Sequence, residues 1–222
     1  MDTHDSLIAQ WLDIKARLYD KQLLRHREQD GPAPSVSVRC PGTRSMLFSN
    51  VPDTAARRLS IDAPDHGANR ADDIADVHAA IYRLRNDIGA IAYGGGRYGS
   101  CLADFSGAIP ILFDEQARHL GRMGAAVDHV DQLAHSLSRG GNSVLFRGEP
   151  VCFGTTCQRM ALNAELFEKC AEAYVLAAAA GSRMTLLPWL VRFVANRRLR
   201  KDQQRATESF AAGMLPPESR GY

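Results

Sequence analysis

Tyr93, Gly94, Gly95, Gly96, Arg97 and Tyr98 stand together without interruption, and every residue type in that run could serve chemistry. Consecutive glycines expose backbone amides that could line an anion-binding nest, and Arg97 would add positive charge. The tyrosines offer phenolic hydroxyls as proton donors. The run matches neither the phosphate loop of nucleotide-binding enzymes nor the dinucleotide fingerprint, so a strand-to-helix turn is its plainer reading. A second group lies downstream: Glu115, His119, Arg147 and Glu149. Glu149 as base with Tyr93 or His119 as acid would need only reach and a tuned pKa to move a proton. The plainer reading has Glu149 paired with Arg147 or Arg97 as a structural ion pair.

Zinc asks for three or four nitrogen, sulfur or carboxylate donors converging on one point. Glu149 is one donor, Tyr93 a poor one, and glycine offers none. His78 and His119 are the nearest histidines, but their spacing does not aim them at Glu149. At helical spacing His78 shares a face with Ile74, which suits a packed core or interface histidine. Cys40, Cys101, Cys152, Cys157 and Cys170 are scattered. Cys152 and Cys157 are the closest pair, without a matching second pair, and the five read as small buried hydrophobes. No metal and no cofactor is expected.

The elements that must position these residues are legible in outline. Residues 6–29 place Leu7, Ile8, Trp11, Leu12, Ile14, Leu18 and Leu23 at helical spacing, closed by "DGPAP". "SVSVRC", "SMLFSN" and "RRLSID" alternate between turn residues and read as antiparallel strands. Residues 74–85 are helical and "IGAIAY" is a short buried strand running into the glycines. Helical pattern returns at residues 98–105, 114–123 and 127–137. "SVLFRG" and "PVCFG" are two further strands, succeeded by a long alanine-rich helix over residues 156–180 with a threonine cap. A last helix over residues 186–203 ends in the basic run "RRLRK", which reads as a solvated helix end.

The whole is an α/β fold on a mainly antiparallel sheet, one domain across residues 1–222 with a C-terminal helical extension from about residue 185. Its 222 residues suffice for a sizeable core. A net charge of +2 and a pI near 8.3 point to neither nucleic acid nor a membrane as partner. The N-terminus has no apolar secretory segment. The longest apolar run, "YVLAAAA" (Tyr174–Ala180), is too short to span a bilayer. A cytoplasmic protein is expected.

Three stretches resemble the class II aldolase/adducin family, which includes fuculose-phosphate aldolase. "VHAAIYRLRNDIGAIAYGGGRYGSCLADFSGAIPILFDEQARHLG" is similar to the family's "HxxIYxxRPDxxAVVHxH" helix–strand unit, its small-residue helix and its "P-x-x-x-E" segment. "GNSVLFRGEPVCFGTTCQRMALNAELFEKCAEAYVLAAAAG" resembles its "A-x-L-L-x-x-H-G" strand pair and the "A-E-x-x-E-x-x-A-x-x-Y" helix. "PSVSVRCPGTRSMLFSN" is fainter. The resemblance runs in order over roughly residues 5–181 and implies a three-layer α/β/α sandwich.

The family's functional residues do not carry over. Its His-x-His metal ligands fall on Tyr93 and Gly95, its third ligand on Glu149, and the aldolases' catalytic acid on Ile74. Its phosphate-binding Gly-Asn pair falls on Pro34 and Ser35, and Asp72 and Asp73 stand where serines help bind phosphate. The glycines therefore read as space left by absent metal ligands. What the resemblance implies is a degenerate member without the zinc site or aldol chemistry: a small-molecule-binding or assembly protein, such as one serving a biosynthetic pathway. A carbon–carbon lyase (aldolase or decarboxylase) rewired around Glu149, Tyr93 and His119 is the alternative. Gly94, Gly95, Gly96, Arg97, Tyr98, Glu115 and Arg147 would line the pocket, with a small molecule as its occupant. The family is commonly tetrameric with its active site between subunits, so a homo-oligomer is expected.

Overall fold

A computed structural model describes residues 3–25, 32–62 and 73–218. Six strands form one antiparallel sheet in the order β3-β2-β1-β4-β6-β5: β1 Ser35–Cys40, β2 Ser45–Asn50, β3 Arg57–Ser60, β4 Ala90–Tyr93, β5 Ser143–Phe146 and β6 Glu149–Gly154. The helices are α1 Thr3–Asp20, α2 Asp73–Leu84, α3 Leu133–Leu137, α4 Cys157–Ala179 and α5 Trp189–Ala211.

Strand alternation sends successive side chains to opposite faces and so builds two cores. Val36, Val38, Ala90, Ala92, Leu145 and Cys152 pack with Leu7, Trp11, Ile14 and Leu18 of α1 and with Met160, Ala161 and Phe167 of α4. Phe48, Ile91, Tyr93, Val144, Val151 and Phe153 pack with Ile74, Val77 and Ile81 of α2 and with Leu133 and Leu137 of α3. The strand residues facing α4 are small because that helix lies close. A Cβ added to Gly154 would stand 2.3 Å from the Met160 nitrogen.

The sequence placed all six strands, and several of its helix bounds move, among them 127–137, which shrinks to a 3₁₀ turn at Val130–Gln132 and α3. α1 stops at Asp20 because Gln22 takes a left-handed backbone (φ 58°). Leu23 N–H donates to the Leu18 carbonyl and Gln22 N–H to Tyr19, the two bonds of a Schellman cap. Residues 98–105 and 114–123 give only a 3₁₀ turn at Leu102–Phe105 and a single π turn at Gln116–Leu120. α5 runs past the basic stretch to Ala211, with Leu199 and Ala206 buried beneath it. α4 begins where expected: Thr156 Oγ accepts from the Arg159 N–H at 3.1 Å. Among the described residues no helix is long and apolar enough to cross a membrane.

Candidate functional site

The β4–β6 register fixes the geometry of the glycine run. Tyr93 pairs with Val151, and Gly94 N–H donates to the Pro150 carbonyl at 2.9 Å, so the next step places Gly95 opposite Glu149. Tyr93 and Glu149 therefore sit at one end of the sheet, and both are buried. Ser100 Oγ reaches toward Glu149 Oε2 at 3.5 Å, a contact that sequence reasoning missed.

The glycines leave no gap at their own positions, which corrects their reading as vacated space. Gly95 exchanges two 2.9 Å backbone hydrogen bonds with Arg25, and a Cβ on Gly95 would stand 2.5 Å from Pro150 Cγ. Gly94 has φ +110°, where a side chain is strained, and its Cβ would stand 2.8 Å from the Arg25 carbonyl. These residues are glycine because backbone and proline come this close.

Their turn does bind an anion, and the anion is the protein's own. Glu168 of α4 accepts from the Tyr98 N–H (2.7 Å) and the Gly99 N–H (2.9 Å). A Cβ on Gly96 would fall 2.3 Å from its carboxyl carbon. Glu168 was legible only as the second acid of the "E-x-x-E" helix pattern. Its partner acid Glu165 pairs instead with Arg17 and Lys21 of the first segment.

Other expected members of the site lie elsewhere. His119 does not join Glu149 and Tyr93. Its Nδ1 lies 3.1 Å from Arg159 Nη1, in the first turn of α4 beyond the Gly154 end of β6. Burial first, then the charges of Arg159 and Arg118, push its pKa down to about 4. Six strand residues, roughly 17 Å, separate the two ends of β6. Arg147 is exposed, takes φ +52° in the two-residue β5–β6 turn, and donates from Nε to the Asp128 carbonyl. Arg97 is exposed beside the Tyr98 ring, and Glu115 lies 3.9 Å from Lys169 on the outer side of α4. Tyr98 itself is half-buried against the α4-side core.

The positions matched to catalysis and phosphate binding are occupied by core contacts. Ile74 is fully buried. Ser35 Oγ lies 3.2 Å from His78 Nε2, and Ser37 Oγ lies 2.7 Å from His78 Nδ1. Burial drives the His78 pKa down to about 3, so the ring stays neutral, as a core histidine. Pro34 packs on Gly94. The expectation for Asp72, and for the Asp73 side chain, falls outside the described residues.

The zinc implied by the resemblance does not fit these residues. Position 95 offers no donor and no room for one, and position 74 offers no carboxylate. Among the described residues no three His, Cys, Asp or Glu side chains cluster as a ligand set. All five cysteines are free thiols, four of them buried.

No protein-family model and no curated protein matches the chain. Solved structures do match in fold. YgbL of Escherichia coli, a putative aldolase/epimerase/decarboxylase, aligns with TM-score 0.70 at 16% identity over 88% of this chain and 100% of its own. An L-fuculose 1-phosphate aldolase gives 0.70 at 16% over 90% and 98%. An aldolase II superfamily protein from Pseudomonas syringae gives 0.66 at 14% over 96% and 93%. At these identities the likeness is one of architecture, and it agrees with the motifs in the sequence: the chain carries the fold of the class II aldolases.

Proposed function

We propose that this protein is a class II aldolase-like assembly protein that has given up the family's zinc site and works by associating with further copies of itself. Its layers would be the three of the α/β/α sandwich, a reading supported by the two cores on opposite faces of the sheet. The observation that carries the assembly reading is on α5. Trp189, Leu190, Phe193 and Val194 recur at the i, i+1, i+4, i+5 spacing of one helix face, Leu186 lies in the segment leading into the helix, and each of the five is between 49% and 69% exposed. Together they leave bare several hundred Å² of apolar surface, which monomers rarely tolerate and which approaches the ~800 Å² each partner gives to an ordinary interface.

A second copy suits this surface because of the charge next to it along the helix. Arg197, Arg198, Arg200 and Lys201 are all exposed beyond the apolar stretch. Two α5 helices crossing antiparallel near Leu190 would bury their apolar halves together and carry the basic halves to opposite ends. Each Arg197 would lie seven residues, about 10 Å, from the two-fold.

Light scattering on the purified protein tests this. A multimer is expected from the wild type and a monomer with unchanged circular dichroism from Trp189→Glu/Phe193→Glu; a monomeric wild type overturns the reading. Elemental analysis tests the other half, since one zinc per chain would refute the loss of the metal site.

One observation supports the lyase alternative in narrowed form: Glu149 is a buried carboxylate beside Ser100 at the sheet end that Tyr93 shares. That reading keeps Glu149 and Tyr93 and gives up His119. Retro-aldol or decarboxylase turnover abolished by Glu149→Gln would establish it.

A further inference from the structure

A cavity of about 620 Å³ opens at the other end of the sheet, between the β1–β2 turn and the C-terminal end of α5. Arg39, Thr43, Arg44, Asn86, Thr207 and Phe210 supply its functional lining, and among the described residues the wall contains no acid.

Arg39 is the unusual member. It is the last α2-facing residue of β1 and only 7% exposed. Nη2 donates to the Tyr82 and Arg85 carbonyls at 2.7 and 3.0 Å, and the guanidinium lies between the Tyr82 and Phe210 rings, 4.9 and 5.3 Å from their centroids. Its Nε is buried without a hydrogen-bond partner. Both of these guanidinium hydrogen bonds are made by Nη2, and Arg39 itself lines the cavity. Asp87 is close enough for its charge to act on Arg39, but its carboxylate is committed to Arg85 at 2.6 Å. A buried cation hydrogen-bonded to two carbonyls and flanked by two ring faces, with the carboxylate acting on it shared with Arg85, lacks the bonded carboxylate of its own that burial ordinarily demands.

The surroundings leave that place open to an incoming anion. Arg44 lines the same cavity and adds a second cation; Asp62 holds it from outside through an exposed ion pair, the weakly bound kind. The end of α5 does not oppose an anion strongly, because the carbonyls of Glu208, Ser209 and Phe210 already accept from Ala212, Met214 and Gly213. Asn86, Thr43 and Thr207 supply neutral hydrogen-bonding groups. A planar guanidinium pinned by ring faces suits a carboxylate or phosphoryl oxygen.

We propose that this cavity is an anion-binding site in which Arg39 and Arg44 receive the carboxylate or phosphoryl group of a small molecule. It shares no residue with the Tyr93–Glu149 end and does not depend on the assembly of copies through α5.

Calorimetric titration with inorganic phosphate, and separately with citrate, at fixed ionic strength tests it. Saturable one-to-one binding of either probe by the wild type is expected, and which of them binds distinguishes a phosphoryl from a carboxylate ligand. Ala211→Glu places a competing carboxylate at the exposed cavity edge and should weaken binding at least tenfold; Arg44→Ala should weaken it about threefold or more. Both positions are exposed, and unchanged circular dichroism would show that these variants fold. No saturable binding of either probe, or wild-type affinity in both variants, overturns the proposal.

Discussion

The two ends of the sheet invert what their sequences advertise. At the Tyr93–Glu149 end, motif-bearing residues meet packed backbone: Pro150 fills the space beside Gly95, Glu168 occupies the amides of Tyr98 and Gly99, and Ile74 is core. At the Arg39 end no motif stands out, yet a cavity opens beside a cation with unsatisfied donors. A run of glycines signals close approach, and close approach serves a ligand only when nothing in the chain already occupies it. A buried charge with no carboxylate bonded to it is the stronger sign of a site, and it becomes visible only when the fold is known.

The most severe way to break this comparison is to rebuild the metal site. Gly95→His should cost about 4 kcal/mol or more, because its Cβ alone would overlap Pro150. Gly95→Ala should cost roughly 1–3 kcal/mol. Denaturant unfolding measures both. A stable Gly95→His/Glu149→His protein holding one zinc per chain would show that the end is open after all.

Acid should separate the two ends next. The folded pKa of His78 is about 3, against 6.5 for a free histidine, so between those values the unfolded chain binds the proton first. Stability is full above pH 6.5 and falls as the pH drops toward 3, by about 4–5 kcal/mol for complete titration. His119 acts in the same direction, over the narrower window down to about 4, and is less completely shielded from water. His78→Gln should therefore flatten the acid limb of the stability curve more than His119→Gln. The reverse order would place the tighter packing at the wrong end.

A smaller effect is expected from the internal anion. Glu168→Ala strands the Tyr98 and Gly99 amides and should cost about 2–3 kcal/mol in urea unfolding. If added phosphate restored that loss in a saturable way, the glycine turn would be a latent anion site. Indifference to phosphate would confirm it as a structural cap.

Much of this was legible in the sequence, and the misses share a cause. Strand alternation and helical spacing fixed the six strands and the long α4, because each is a local pattern that burial rewards. The end of α1 was not legible: Gln22 takes the left-handed conformation without being glycine. His119 was grouped with Glu149 through the resemblance to the family's metal cleft, although one strand length carries it to the far end of the sheet. Arg39 passed as one arginine in an alternating strand, since its cavity depends on α5 running to Ala211 and laying Phe210 over Gly89.

The smallest effect asks whether Arg147 belongs to a site or to a turn. With Gly148 (φ 80°) it forms a two-residue hairpin connection in which both residues have positive φ, the geometry in which Asn-Gly is favoured. Its Nε bond to the Asp128 carbonyl is 3.2 Å long, and its guanidinium lies over Phe146 at the surface. Relief of backbone strain should outweigh those exposed contacts, so Arg147→Asn is expected to raise stability by about 0.5 kcal/mol, read as a shift of a degree or two in melting temperature. A loss of stability would show that Arg147 holds the β5–β6 end together. A gain would show that the contacts of this exposed side chain do not offset the strain of the turn it occupies.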